Sequence, residues 1–316
     1  MKGILKRACL WVSSVLAVTL IAGLLLQWAL SRSALSGNPA PGELIEVDGR
    51  RGHLLCQGSE GPVVILEAGL PGSSLTWASV TPGVAEFARV CSYDRAGYGW
   101  SEPGPRPRTS ASIARELRML LQHAGIEPPY VLVGHSFGGL VVQVYASRFP
   151  DEVAGMVLVD ASHPDLVHQT VEIDRMGTLS LLVRGLAVTG IGRFLVPVPA
   201  GSAESRDPAV RKLERDLQFT TRSLRATSAE LAALRDSLSE AGAERPRLGQ
   251  KPLAVLTEGR RRAKHWLEMQ ADLAELSDES RWEIVDSAGH FIHHDRPEVV
   301  VSAIRSVVEA VRPAPE

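Results

Sequence analysis

The sequence predicts an α/β protein: a mostly parallel sheet with helices on both faces, one inserted helical cap, and a membrane-spanning helix at the N-terminus. Three observations predict it. From about residue 63 onward, short apolar runs rich in β-branched residues alternate with helical patterns. Parallel strands covered on both faces read as such near-continuous runs, and their alternation with helices implies βαβ units. Between about residues 165 and 250 the alternation stops and the chain becomes helical and more charged. Finally, residues 8–31 contain no charged side chain at all.

The composition suits a large globular body. Of 316 residues, 45% are hydrophobic and 22% charged, enough to bury a sizeable core and to exclude global disorder. Lys and Arg total 34 against 36 Asp and Glu, a formal charge of −2. Nucleic-acid partners are excluded, because phosphates demand clustered cations, and the 5% aromatic content disfavours base-stacking modules. Three cysteines are too few for a disulfide scaffold or a four-thiolate zinc site. The mean hydropathy of +0.03 is high for a soluble enzyme. The excess sits at the N-terminus.

There, the run over residues 8–31 is long enough to cross a hydrocarbon core of roughly 30 Å at about 1.5 Å per residue. Lys2, Lys6 and Arg7 precede it and only Arg32 follows closely, which orients the N-terminus to the cytoplasm. Trp11 and Trp28 lie near its two ends, where amphipathic rings favour the interface. A cleaved signal peptide shares the basic start, but its apolar region is shorter, about 7–15 residues. The length favours an uncleaved anchor over residues 1–36. Either reading exports the remainder of the chain, to the periplasm or cell exterior or, after cleavage, as a secreted protein. Residues 37–43 form a Gly-, Pro- and Asn-containing linker.

Beyond the linker, residues 44–47 and 53–57 predict an antiparallel hairpin around Asp48-Gly49, the strongest short turn signal. Val63-Val64-Ile65-Leu66, Tyr130-Val131-Leu132-Val133, Met156-Val157-Leu158-Val159 and Leu253-Ala254-Val255-Leu256 read as buried strands. Residues 112–124 carry Ile113, Leu117, Leu120, Leu121 and Ala124 at helical spacing, with Gly125 as a stop. Residues 44–164 and 251–316 then make one core, residues 165–250 its cap, and residues 297–311 a last helix opened by a proline. The apolar stretch Leu181, Leu182, Leu186, Ile191, Phe194, Leu195 and Val196 in the cap either faces an acyl chain or packs on the body, packing being the default.

The chemistry is carried by Gly134-His135-Ser136-Phe137-Gly138-Gly139, which follows one strand and opens the apolar helix over residues 140–147. This is G-x-S-x-G in the strand–turn–helix context that the motif requires. The glycines are steric: a nucleophile in a strained turn needs neighbours without side chains if strand and helix are to pack. The chain resembles the α/β-hydrolase superfamily here, specifically its capped branch with a G-H-S-F-G-G elbow. The resemblance extends over about residues 44–311. Leu66-Glu67-Ala68-Gly69-Leu70-Pro71-Gly72-Ser73-Ser74 is similar to its oxyanion loop, with Ala68 where the family carries His. Tyr93-Asp94-Arg95-Ala96-Gly97-Tyr98-Gly99-Trp100-Ser101 resembles its D-x-x-G-x-G-x-S loop, and Ser287-Ala288-Gly289-His290-Phe291-Ile292 the loop of its catalytic His.

The resemblance implies an eight-stranded sheet with an α/β-hydrolase fold, Ser136 as nucleophile and His290 as its base. The acid is less evident. The loop after the seventh strand, Thr257-Glu258-Gly259-Arg260, has no Asp where one is expected. The other family position is the end of the sixth strand, where Asp160 stands; it is the preferred acid, with Glu258 second and Asp286 a remote third. The oxyanion donors implied are the backbone N–H groups of Leu70 and Phe137, at an elbow framed by Gly134 and Gly138. His135 is expected to point away from acid and base. His293, His294 and Asp295 read as an exposed polar turn, and neither a metal nor a cofactor is expected. Cys56 and Cys91 fall in the second and fourth strands, neighbours in this fold, and form either a disulfide or two buried thiols.

These residues imply a membrane-anchored serine hydrolase that cleaves a carboxylic ester, its substrate a small-molecule or lipid-like ester. The same fold and triad serve thioesterases, amidases, carbon–carbon bond hydrolases, cofactor-free haloperoxidases and acyltransferases. Haloalkane dehalogenases and epoxide hydrolases of this superfamily use Asp at the elbow, so Ser136 argues against both. A non-catalytic membrane-tethered binding protein is the alternative from another class.

Overall fold

The computed structural model describes residues 2–59, 61–169, 175, 177–179, 181–183, 185, 207–260 and 263–312. Eight strands form one sheet: β1 (Glu43–Val47), β2 (Arg50–Gln57), β3 (Val63–Glu67), β4 (Arg89–Tyr93), β5 (Tyr130–His135), β6 (Val153–Val159), β7 (Leu253–Glu258) and β8 (Ser280–Val285). Their order is β1-β2-β4-β3-β5-β6-β7-β8. Both pairings of β2 are antiparallel and all others are parallel. The hairpin turns at Asp48 and Gly49 with φ of 51° and 69°, the two positive values that a tight two-residue turn requires.

The helices with both ends among the described residues are α1 (Lys2–Ser36), α2 (Thr81–Ala85), α3 (Ser110–His123), α4 (Phe137–Arg148), α5 (Pro208–Gln218), α6 (Thr221–Ala232), α7 (Leu234–Ala243), α8 (Lys264–Ala274), α9 (Ile292–Asp295) and α10 (Pro297–Val311). The continuous apolar strands serve two cores at once, because successive side chains point to opposite faces. Ile65, Leu132, Leu158 and Val255 pack with Leu117, Leu121, Leu140 and Val144 of α3 and α4. Their neighbours Val64, Leu66, Val131, Val133, Val157 and Leu256 pack with Val84 of α2 and with Ile304 and Val308 of α10. Each of these buried side chains contributes roughly 1.5–3 kcal/mol of transfer free energy.

α5, α6 and α7 lie in sequence between β6 and β7. Of the apolar cap residues singled out above, Leu181 and Leu182 are exposed. Leu186, Ile191, Phe194, Leu195 and Val196 lie outside the described residues. Within α1, Cys9–Ser36 is long and apolar enough to span a membrane, with a mean hydropathy of 2.4. Leu10, Trp11, Leu16, Leu25 and Trp28 stand exposed along it. Its last turns meet the junction of α5 and α6: the buried Gln27 donates from Nε2 to the Phe219 carbonyl at 2.8 Å, and Thr221 N donates to Ser31 Oγ at 3.1 Å.

Candidate active site

β5 ends at His135 and α4 begins at Phe137, leaving Ser136 alone in the turn at φ 52° and ψ −123°. A non-glycine residue there costs on the order of 1–3 kcal/mol and persists only where its surroundings fix it. The Ser136 carbonyl accepts from Gly139 N at 2.9 Å and from Ser162 N at 3.0 Å. The glycines on either side are demanded by contact. A Cβ on Gly134 would stand 2.8 Å from the Gly138 oxygen, and one on Gly138 only 2.5 Å from the Glu67 oxygen. That second approach presses the end of β3 against the elbow.

His290 arrives on the loop after β8. Its Nε2 lies 3.0 Å from Ser136 Oγ and its Nδ1 lies 2.6 Å from Asp160 Oδ2. Asp160 directly follows β6, fully buried, with φ 41°. A buried carboxylate needs partners on both oxygens, or its desolvation is uncompensated. Oδ1 has them: it accepts from Glu258 N and from the indole Nε1 of Trp266 on α8, both at 3.0 Å. Glu258, the second candidate for the acid, donates its main-chain N–H to this carboxylate. Asp286 is exposed. The His290 loop is tied from below, with Gly259 N and Arg260 N donating to the Ala288 carbonyl and Gly289 N donating to Asp295 Oδ2 at 2.8 Å.

Two histidine expectations are corrected. His135 does not turn away from the base: its ring lies 4.7 Å from that of His290, and its Nε2 donates to the His290 carbonyl at 2.9 Å. The buried ring packs among the rings of His290, Phe291 and His293, which the loop after β8 and α9 bring over the elbow. Burial, and secondarily the neighbouring His290, holds the His135 imidazole well below the usual histidine range. His293 and His294 are buried, not exposed, because α9 turns them inward onto Trp77, Phe291 and His135. Among the described residues no group of three or more His, Cys, Asp or Glu is arranged to hold a metal ion.

The loop from Glu67 to Ser74 lies over the elbow, where a Cβ on Gly69 would stand 3.1 Å from that of Ser136. Leu70, the next residue, is partly buried, and Phe137 opens α4, whose first N–H groups have no partner within the helix. α5 rests on this loop: Gln218 Nε2 donates to the Pro71 carbonyl at 2.9 Å, and Thr76 Oγ1 donates to Glu214 Oε1 at 3.3 Å. Further out, Cys56 and Cys91 pair across β2 and β4 and are joined as a disulfide. Sequence reasoning missed Trp266, which lies in an unremarkable helix. It also did not anticipate that Arg95, inside the D-x-x-G-x-G-x-S loop, would be buried.

The geometry is that of a serine in a strand–turn–helix elbow at the carboxyl edge of a parallel sheet, with a histidine and a buried aspartate in line behind it. That defines the class of α/β hydrolases. A family model described as the alpha/beta hydrolase fold matches residues 62–187. The chain is 29% identical over 256 residues to an uncharacterised protein, YqjL, of Bacillus subtilis (strain 168), covering 79% of this chain and 85% of that one. Among solved structures, the Cif epoxide hydrolase from Acinetobacter nosocomialis superposes with a TM-score of 0.72 at 16% identity, covering 90% of this chain and 96% of that chain. A thermophilic esterase from Thermogutta terrifontis gives 0.65 at 23% identity, covering 85% and 97%. The chain therefore has the α/β-hydrolase fold.

Proposed function

We propose that the chain is a membrane-anchored serine hydrolase acting on a carboxylic ester, with Ser136, His290 and Asp160 as its triad. The single observation that carries this reading is the unbroken line from Ser136 Oγ through His290 to Asp160, at 3.0 and 2.6 Å. A serine hydroxyl is a weak nucleophile until a base within hydrogen-bond reach takes its proton. His290 Nε2 takes that proton as Oγ attacks the ester carbonyl, and returns it to the departing alkoxide. Asp160 holds the imidazole with its proton on Nδ1 and stabilises the imidazolium. The N–H groups of Leu70 and Phe137 receive the oxyanion, worth about 2.7–4 kcal/mol for each donor where one has been removed in other enzymes. Water, deprotonated by the same histidine, then releases the acid.

The hydroxyl at the elbow separates this reading from epoxide opening, which in this superfamily uses Asp there. The disulfide and the apolar α1 support export with the N-terminus retained as an anchor. A panel of p-nitrophenyl esters, thioesters, anilides and lactones tests the reaction, with Ser136→Ala as control. Turnover of esters above the others, lost in the variant, is expected; turnover that survives Ser136→Ala sinks the reading. Alkaline carbonate extraction of membranes tests the anchor, and a chain recovered in the supernatant contradicts it.

A further inference from the structure

Beneath the oxyanion loop lies a charged cluster for which neither the triad nor the sheet has a use. Arg95 follows β4 and is buried together with Glu67, at the end of β3, and Glu230, on cap helix α6. Its guanidinium is held by four groups. Nη1 donates to Glu67 Oε1 at 2.7 Å and to the Ala68 carbonyl at 2.5 Å, and Nη2 donates to the Gly69 carbonyl at 3.0 Å. Nε and Nη2 each donate to Glu230, to Oε1 and Oε2, both at 3.1 Å. Tyr98 adds its hydroxyl to Glu230 Oε2 at 3.0 Å, Arg108 Nη2 stands 3.7 Å from Oε1, and Tyr93 donates to Glu67.

The two carbonyls matter because they belong to the residues just before Leu70. The peptide that presents the Leu70 N–H is the one whose oxygen, on Gly69, Arg95 grips. A planar peptide held by its oxygen has its N–H direction fixed as well. Glu230 grips the same guanidinium from the cap with two parallel bonds, a fork that only arginine offers a carboxylate. We infer that Arg95 is a positioning residue that sets the Leu70 oxyanion donor, and that Glu230 makes this setting depend on the docking of α6. Gln218 and Glu214 of α5 tie the cap to the same loop from above. An oxyanion hole assembled with the cap would act fully only on substrates that leave the cap seated, or draw it down.

The inference rests on the serine-hydrolase reading for its kinetic arm but not for its structural one. Glu230→Gln keeps the volume but replaces one accepting oxygen with an NH2 that meets the Arg95 donors. Loss of a whole oxyanion donor costs about 10²–10³ in kcat elsewhere. A misaimed one, per folded site counted by circular dichroism, is expected to lower kcat about 10- to 100-fold with KM within about 3-fold. The affinity for a trifluoromethyl ketone, which forms the tetrahedral adduct, should fall by the same factor as kcat. Arg95→Lys, which keeps the charge but not the fork, should do likewise. Amide hydrogen exchange over residues 68–73 should quicken in Glu230→Gln relative to wild type, whether or not the chain hydrolyses esters. A variant with a lowered Tm but near-normal kcat per folded site and unchanged exchange in that loop overturns the inference. Wild type inert to every ester and to the ketone would defeat the hydrolase reading instead, leaving the exchange experiment to decide the coupling.

Discussion

The indole Nε1 of Trp266 donates to Oδ1 of Asp160 at 3.0 Å, on the side of the carboxylate away from His290. With Glu258 N it occupies the oxygen that the histidine does not use, so the other stays aimed at Nδ1. A hydrogen bond to a charged group is worth about 1.5–3 kcal/mol, which as lost orientation is roughly 10- to 100-fold in rate. Trp266→Phe is therefore expected to lower kcat by about that much while the fold persists. Ester kinetics beside near-ultraviolet circular dichroism reads it; an unaltered kcat shows that Glu258 N suffices alone.

Replacing the acid separates the two carboxylates. Asp160→Asn removes the acceptor that fixes the Nδ1–H tautomer and should cost about 10³- to 10⁴-fold in kcat. The bond from Glu258 to Asp160 comes from the main-chain N–H, which Glu258→Gln retains, so that variant should stay within a few fold. The reverse ranking in a p-nitrophenyl ester assay would move the acid to β7.

His135 makes stability depend on pH. Its folded pKa is depressed, so the neutral ring's contribution is complete above the unfolded value of about 6.5 and is lost as pH falls below it. The unfolded chain then binds a proton that the native one refuses, and stability should decline by about 1.4 kcal/mol per pH unit from this site. Urea midpoints at pH 7.0, 6.0 and 5.0 measure the slope. His135→Gln should flatten it over that window, and a slope unchanged in the variant assigns the dependence elsewhere.

The Cys56–Cys91 bond closes a separation of 35 residues across β2 and β4. Cross-links of this loop length stabilise by about 2–4 kcal/mol, largely through the unfolded chain. Cys56→Ser with Cys91→Ser should lower the denaturant midpoint accordingly and leave kcat intact, since the pair lies away from the elbow. An equal midpoint for the oxidised protein and the double variant contradicts it.

The parts of this molecule that were legible in advance are those dictated by local chemistry. Asp48-Gly49 demanded a positive-φ turn, the apolar runs demanded burial on both faces, and Gly134 and Gly138 marked where strand and helix close on a serine. Asp160 was visible only through its position at a strand end, and what distinguishes it from Glu258 is a long-range meeting with His290, 130 residues away. Trp266 and Glu230 carried no such mark, because their partners arrive from distant strands and loops. His293 and His294 misled for the same reason. A polar string reads as exposed until α9 is seen to fold it under Trp77.

A Ser136 activated by His290 should behave as a nucleophile. Labelling with a fluorophosphonate probe measures it directly, followed by gel fluorescence and mapping of the modified peptide. Wild type should take up one probe per chain at Ser136, while Ser136→Ala takes up none and His290→Ala labels at least 100-fold more slowly. Folded wild type that fails to label, or Ser136→Ala that labels equally, would contradict the account.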